Sequence, residues 1–257
     1  METGHLFLMQ KKINKIHKIN IHQYKSYVDF VLADDYLTLD FNSKNFDLNF
    51  IETISKINFS SIKLIFFSDI PSIVPSKLFD KKYSNKYLET NISNIKNIRH
   101  DISNDKKITT VYSINNSLIK ILNKRNIKYS VKNYFTILYD YLSGKNRISE
   151  GLTLYINLNE DSFDILIFKL EEFIYFNTFD IDDKDKFLYY LFFVMKNYEV
   201  SSKKDKIIFL GKYEKYLEYY EIVNKYSQLD YIIDNSISKL NIKSPFFSYL
   251  NEDNIRQ

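Results

Sequence analysis

The hydrophobic positions of the chain follow two spacings, one typical of β-strands and one typical of helices. In the first half, runs of β-branched and aromatic residues predict strands, and the first two form a hairpin around the polar turn Asp34-Asp35. Apolar residues three or four apart predict the helices between them. The predicted strands are 27–33, 36–41, 61–67, 107–113 and 127–131, and the predicted helices are 50–57, 76–88, 116–122 and 134–142.

The second half begins again with the same order of elements. Three strands separated by very short connections predict a β-meander, and a helix, a strand and a second helix follow it. The strands are 151–158, 163–170 and 171–176, and the later elements are a helix at 184–198 capped by Asp183, a strand at 206–210 ending at Gly211, and a helix at 212–226.

The pattern restarts close to two of the four glycines, Gly144 and Gly151, which enclose a polar stretch. Such stretches are typical of boundaries between structural units. We therefore predict a mobile N-terminal segment over 1–24, a first half over 25–147 and a second half over 148–257.

Composition excludes several classes of protein. The 257 residues are 45% hydrophobic and 26% charged, which is ordinary for a globular protein, and the absence of cysteine excludes disulfides, thiol nucleophiles and thiolate metal sites. The longest apolar run, 188–195, is far shorter than the ~20 residues of a membrane span. We expect a cytoplasmic protein with no membrane association.

The net charge of +4 changes this picture little. Nearly all the basic residues are lysines, whereas nucleic-acid binders concentrate basic residues on one face and use arginine for bidentate contacts. The one dense basic stretch, from Lys11 to Lys18, lies in the predicted mobile segment and is interpreted as a solvated tail. Nucleic acid is therefore not the expected partner, although a nucleic-acid-associated factor stays open as an alternative.

Paired halves that open with antiparallel hairpins and continue with helix–strand units resemble the actin-like ATPase fold of sugar kinases, heat-shock chaperones and pilus-assembly actin homologues. The resemblance is sharpest at 155–168, which aligns without gaps with the Asp-Ile-Gly-x-x-Thr phosphate hairpin of that fold. It implies an α/β protein with mixed sheets, a duplicated actin-like (ribonuclease H-like) fold.

A closer resemblance lies in the first half. The stretch Pro71–Asn91, which begins Pro-Ser-Ile-Val-Pro-Ser-Lys-Leu-Phe, is similar to the Leu-Val-Pro-x-x-Leu-Phe signature of an uncharacterised bacterial family of degenerate actin-like proteins. The resemblance covers roughly 27–234, and it implies a fold without an established activity.

The resemblance places a nucleotide site at four positions. In the second hairpin Asn157 stands where the family has aspartate, Asn159 where it has glycine, and Ser162 where it has threonine. Gly211 lies in the strand and turn that normally hold adenosine. An amide in place of the carboxylate weakens Mg²⁺ binding, and we expect Asn159 to tolerate positive φ and to point into the space of a γ-phosphate.

These losses predict a non-catalytic binding or scaffold module with a protein partner, a pseudo-ATPase that holds no cofactor and no metal. The first alternative is an ATP-binding enzyme or switch in which Asp34, Asp35, Glu160 or Asp161 recruits Mg²⁺. On the leading hypothesis, restoring Asn159→Gly with Asn157→Asp should give weak Mg-ATP binding and change stability by only about 1–2 kcal/mol.

Three further clusters receive structural interpretations. The acidic residues from Asp180 to Asp185 are explained by a helix N-terminus, where carboxylates favour the helix dipole. His17 and His22 have no companion ligands for zinc, and His100-Asp101 is interpreted as a surface pair. The tyrosine-rich segment 213–226 packs in the core or forms a partner surface, and both interpretations stay open.

Overall fold

The chain divides into two compact units, 1–137 and 138–257. The computed structural model describes residues 17–32, 35–67, 69–93, 95, 97–145, 150–159, 161–201, 203–211 and 217–233. The division falls ten residues before the predicted boundary at 147/148, and residues 146–149 lie outside the described residues.

The first unit contains strands and helices in the following chain order. They are β1 (His17–Gln23), β2 (Tyr27–Leu32), β3 (Asp35–Asp40), α1 (Phe46–Ser55), β4 (Phe59–Phe66), β5 (Ser72–Pro75), single 3-10 turns at Ser76–Leu78 and Lys81–Tyr83, α2 (Ser84–Leu88), β6 (Ile98–Ile102), β7 (Ile108–Ser113), α3 (Ser117–Lys124), β8 (Tyr129–Asn133) and α4 (Tyr134–Ser143), within which the division falls.

The main sheet of the first unit has the strand order β3-β2-β1-β4-β8. Strand β1 is antiparallel to β2 and parallel to β4, so the sheet is mixed. Alternate residues of these strands, such as Ile21 and Phe30, pack against Phe50 of α1 and Leu118 of α3. The period-two pattern of the strands therefore places their apolar face under the two helices.

The second unit repeats this arrangement. Its elements are β9 (Leu152–Leu158), β10 (Ser162–Lys169), β11 (Glu172–Asp180), α5 (Lys184–Asn197), β12 (Lys206–Gly211), α6 (Leu217–Asn224) and β13 (Leu229–Ile233). The sheet has the order β11-β10-β9-β12-β13, with β9 antiparallel to β10 and parallel to β12. Phe187 and Leu191 of α5 and Val223 of α6 cover one face of this sheet.

The first unit carries a second sheet between β4 and α3. Its three antiparallel strands have the order β5-β7-β6 and enclose a small core of Val74, Leu88 and Val111. The segment predicted as one helix over 76–88 is instead two 3-10 turns followed by the short α2. Phe79, between the two turns, is in the β region, and there the Asp80 carboxylate accepts a hydrogen bond from the backbone N–H of Lys82. A polar side chain that binds the local backbone in this way competes with continuous helix.

The prediction that residues 1–24 form a mobile segment is wrong for His17–Gln23, which is the third of five strands in the first sheet. Its apolar residues Ile19 and Ile21 alternate with polar ones, but they are the only two apolar residues of the strand, and the neighbouring lysine-rich stretch led to its interpretation as a solvated tail. Residues 1–16 lie outside the described residues. The short strands β6 and β13 were missed as well.

No helix within the described part of the chain is long and apolar enough to cross a membrane.

Candidate functional site

The first hairpins of the two units share one register. In β1–β2 the last pair is Gln23 with Val28, and in β9–β10 it is Leu158 with Phe163, so each turn contains four residues, 24–27 and 159–162. One pair earlier, His22 lies opposite Asp29 and Asn157 lies opposite Asp164. The two hairpins can therefore be compared residue by residue.

This register corrects the assignment of the first hairpin. The sequence placed the counterpart of the second phosphate hairpin at 27–41, around the turn Asp34-Asp35. The strand orders show that its counterpart is β1–β2, with the turn at 24–27. The error follows from the missed strand β1, because without it β2 and β3 form the first hairpin of the chain. Asp34 lies outside the described residues.

In the second unit, a buried carboxylate joins the three antiparallel strands. Asp164 of β10 accepts hydrogen bonds at Oδ2 from the Asn157 amide (Nδ2, 2.8 Å) and, at longer range, from the Asn159 amide (Nδ2, 3.5 Å). At Oδ1 it accepts one from the Thr178 hydroxyl of β11 (2.7 Å). Asp164 is fully buried, so these donors replace the water that a carboxylate requires.

The first unit carries the corresponding cluster with one change of residue. The hydroxyl of Thr38 in β3 donates to Asp29 Oδ1 (2.5 Å), as Thr178 does to Asp164. Asp29 is fully buried, and its partner across the strands is His22, where the second unit has Asn157. Burial, with a smaller contribution from the positive charge of Lys63, lowers the pKa of His22 from 6.5 to about 3. His22 is therefore neutral at physiological pH.

Aromatic rings surround the first turn. Tyr24, which occupies the position of Asn159, stacks on Tyr27 (ring centroids 4.5 Å apart) and on Phe67 just after β4 (4.9 Å). Phe67 in turn stacks on Tyr134 at 4.9 Å. The position where the family motif has glycine therefore carries a ring packed between other rings.

The four predicted site residues lie at the same end of the three inner strands of the second sheet. Asn157 and Asn159 are at the end of β9, Ser162 begins β10, and Gly211 ends β12, whose Leu210 pairs with Asn157. The Asn159 backbone N–H donates to the Ser162 carbonyl (2.8 Å) and closes the turn. Topology thus brings together the residues that the resemblance selected.

Asn159 does not use the positive φ that asparagine tolerates: it is not among the described non-glycine residues with positive φ, which are Asn97, Lys106, Asn126, Leu170 and Glu199. The expectation that its side chain points into the space of a γ-phosphate stays a prediction. Its amide Nδ2 lies 3.5 Å from Asp164 Oδ2, at the outer limit of a hydrogen bond. The next residue after Ser162, Phe163, packs against Phe187 of α5 in the core of the second unit (ring centroids 4.7 Å apart).

The acidic cluster behaves as a helix start. The Asp183 carboxylate accepts a hydrogen bond from the Lys186 backbone N–H (2.7 Å), which confirms the predicted cap, and Asp182 pairs with the Lys186 ammonium. Among the described residues, no three His, Asp or Glu side chains could together hold a metal ion. Glu160 lies outside the described part of the chain.

His100 and Asp101 do not form a surface pair. The Asp101 carboxylate accepts hydrogen bonds from the Tyr112 hydroxyl (3.0 Å) and from the backbone N–H of Asn133 at the end of β8 (2.7 Å), and burial raises the pKa of Asp101. The His100 ring packs on Phe79. Neighbouring residues of a strand point to opposite faces, so the two side chains have separate roles.

In the tyrosine-rich segment 213–226, some rings pack in the core and one is exposed. Tyr219 and Tyr220 pack edge-on against Phe187 and Phe209 in the core, whereas Tyr226 is largely exposed. Tyr213 lies outside the described residues.

Sequence reasoning missed Asp29, Thr38, Asp164 and Thr178 as members of the candidate site. One signal was available: His22 and Asp29 have the same spacing in the chain as Asn157 and Asp164. The threonines carried no such signal, because they lie nine and fourteen residues beyond their aspartates.

Two units with one mixed strand order, each opening with a hairpin of the same register, define an actin-like ATPase fold. The chain belongs to the family described as "Protein of unknown function (DUF3822)", which matches residues 47–229. The predicted fold and the predicted membership of an uncharacterised actin-like family are both confirmed. No curated protein matches the sequence.

Solved structures similar to this chain include the following two. One is a Bacteroides thetaiotaomicron protein with an actin-like ATPase fold and unknown function, at a TM-score of 0.70 and 17% identity over 87% of this chain and 93% of that one. The other is the PilM-PilN type IV pilus biogenesis complex, at a TM-score of 0.50 and 8% identity over 90% of this chain and 96% of that one. At these identities the likeness establishes the fold alone.

Proposed function

We propose that this protein is a non-catalytic binding or scaffold protein of the cytoplasm that keeps an actin-like fold and holds no nucleotide. The observation that supports this proposal most directly is the state of the second hairpin. The amide of Asn157 donates to Asp164, and the amide of Asn159 turns to the same carboxylate. Asn157, which replaces the aspartate, is thus buried and hydrogen-bonded within the sheet, and the half-buried Asn159 amide faces the same carboxylate.

The chemistry of these residues does not fit a magnesium nucleotide. Mg²⁺ is bound through carboxylates, phosphates and water, and phosphate oxygens need backbone N–H groups that approach closely at glycine. Asn157 offers a neutral amide, and the Asn159 N–H is used by the Ser162 carbonyl. In the first hairpin, His22 is neutral and buried, and the ring of Tyr24 occupies the glycine position.

A binding role also agrees with one structural relative. PilM of the type IV pilus system is found in a complex with PilN. By analogy, we propose that this chain acts through a protein partner.

Titration with Mg-ATP, Mg-ADP and Mg-GTP tests the loss of nucleotide binding. We expect no saturable heat in calorimetry and no rise in unfolding temperature below about 1 mM ligand, since a ligand that binds only the folded state must stabilise it. Micromolar affinity for any of the three would overturn the proposal and favour an ATP-dependent switch. Steady ATP turnover lost in Asp161→Ala but kept in Glu52→Ala would identify that alternative.

The structure changes the expected outcome of restoring the family residues. Asn157→Asp would place a second carboxylate about 2.8 Å from Asp164, where the amide now donates. A tolerated substitution changes the free energy of unfolding by about 1–2 kcal/mol. We expect Asn157→Asp to lower the free energy of unfolding at neutral pH by more than this amount. Asn159→Gly alone loses only the long hydrogen bond and is the matched control. Equal stability of the two variants would contradict the contact between Asn157 and Asp164.

A further inference from the structure

One stretch of the first unit exposes apolar and basic side chains together. Leu78 is 72% exposed and Tyr83 is 42% exposed, and both lie in the 3-10 turns before α2. Exposed lysines surround them on the same stretch. We call this the 77–86 surface, and it consists of Lys77, Leu78, Lys81, Lys82, Tyr83 and Lys86.

Hydrogen bonds hold the backbone of this surface in place. The Tyr87 hydroxyl accepts from the Asp80 backbone N–H (3.2 Å) and donates to the Leu78 carbonyl (3.3 Å). The Asp80 carboxylate accepts a hydrogen bond from the Lys82 backbone N–H (3.0 Å), and the Ser84 hydroxyl donates one to the Lys81 backbone carbonyl (2.6 Å). Leu78 is therefore exposed on an ordered backbone. Contact between its apolar side chain and water is unfavourable, so covering it with a partner would be favourable.

The charges of the surface are predominantly positive. Four lysines against the one carboxylate of Asp80 leave a local charge of +3. Asp80 pairs with the Lys82 ammonium (2.9 Å), and the ammonium groups of Lys82 and Lys86 lie 4.8 Å and 5.3 Å from the centre of the Tyr83 ring. Tyrosine rings next to cations at an exposed site are well suited to anchor an incoming chain.

We infer that the 77–86 surface docks an acidic segment of a partner protein that carries an apolar side chain among its carboxylates. The charge of the surface attracts the carboxylates, and Leu78 and Tyr83 cover the apolar side chain. A protein segment fits better than nucleic acid, because the surface contains no arginine for bidentate contacts and its exposed Leu78 needs an apolar partner, which a phosphate backbone does not offer. The inference deepens the binding role proposed above and rests on it.

Fluorescence anisotropy with a labelled peptide tests the docking surface. The probe is a peptide of about ten residues with glutamates around one central leucine, which we expect to bind saturably and more weakly as salt rises. The double variant Lys82→Glu with Lys86→Glu should weaken binding about tenfold, and Leu78→Ala should weaken it about threefold.

Lys120→Glu with Lys124→Glu makes the same charge change on exposed residues of α3 and is the matched control. It should change the affinity less than about twofold, because α3 contributes no residue to the 77–86 surface and salt weakens the effect of charges outside the contact. No saturable binding, or equal losses in both double variants, would overturn the inference. A single-stranded oligonucleotide that bound more tightly than the peptide, with no effect of Leu78→Ala, would assign the surface to nucleic acid instead. Nucleotide titration separates this result from the proposed function, because peptide binding and Mg-ATP binding are measured independently.

Discussion

His22 and Asn157 occupy the same position in two hairpins of one register, each directly opposite a fully buried aspartate. Both aspartates also accept a hydrogen bond from a threonine of the third strand. Each unit therefore has its own polar cluster around a buried aspartate. The cluster contains an ionisable histidine ring in the first unit and a neutral asparagine amide in the second. The cluster offers matched substitutions within a single chain.

His22→Asn should reduce the sensitivity of the protein to acid. Because the pKa of His22 is lowered from 6.5 to about 3 on folding, the unfolded chain binds more protons between these values, and stability falls as pH drops below 6.5. Between pH 6.5 and about pH 4.5 we expect a loss of about 1–3 kcal/mol that His22→Asn removes. The groups around the ring are Asp29 on β2 and Lys63 on β4. Urea unfolding of both proteins across this range measures the difference, and equal pH slopes would contradict it.

Thr178→Val should destabilise the second unit by about 1–3 kcal/mol, because it removes a hydroxyl donor from the buried carboxylate of Asp164. Thr38→Val should have a smaller effect, since Thr38 is exposed and water can replace its hydroxyl. Thr110 is the matched control. It is fully buried, and its hydroxyl has no hydrogen-bond partner among the described residues, so Thr110→Val should be neutral or stabilising. A loss at Thr110 as large as that at Thr178 would refute the assigned role of the hydroxyl.

Gly151→Ala should destabilise the start of β9. A Cβ at Gly151 would overlap the backbone carbonyl of Lys204 and lie 2.5 Å from the Asp205 carboxylate, which accepts a hydrogen bond from the Leu152 N–H (2.7 Å). We expect a loss of about 1–3 kcal/mol in denaturant unfolding, as for other overpacked sites. At Gly144 the nearest atom to an added Cβ is 3.8 Å away, so Gly144→Ala should be close to neutral. Similar losses in the two variants would argue against the close approach at Gly151.

Glu199→Gly should stabilise the end of α5 by about 0.5–1 kcal/mol, because Glu199 has φ of 52° and a side chain disfavours this left-handed backbone. The Val200 N–H donates to the Met195 carbonyl (2.8 Å), so the Schellman geometry is already formed. Asn126, with φ of 55°, ends α3 in the same way, and Asn126→Gly should gain less because Asn tolerates this region. Thermal unfolding measures both, and a decrease in stability for Glu199→Gly would contradict the prediction.

Much of the fold could be predicted from the sequence because its elements carry strong periodic patterns. The meander β9–β11 and the helix α5 lie within a few residues of their predicted bounds, and Asp183 caps α5 as expected. In these elements the apolar face is continuous, and the spacing of its residues identifies it. The order of these elements was enough for the resemblance to the actin-like fold.

The candidate site could be predicted only in part. The four positions selected by the family motif do lie together at one end of the inner strands, but the directions of their side chains were not predictable. Asn159 turns towards Asp164, a residue five positions away on the opposing strand. Such a choice depends on which acceptor the pairing of β9 and β10 places within reach, and the sequence does not contain that distance.

The sequence by itself determined which segments are strands and helices wherever hydrophobic spacing is strong, and it determined the loss of the family's aspartate and glycine. Only the tertiary structure decided that the polar strand His17–Gln23 lies within the first sheet, between β2 and β4. Only the tertiary structure decided that Asp29 and Asp164 are equivalent buried centres. The physical reason is that strand order and register join residues far apart in the chain, and a buried carboxylate takes its donors from whichever strands are paired beside it.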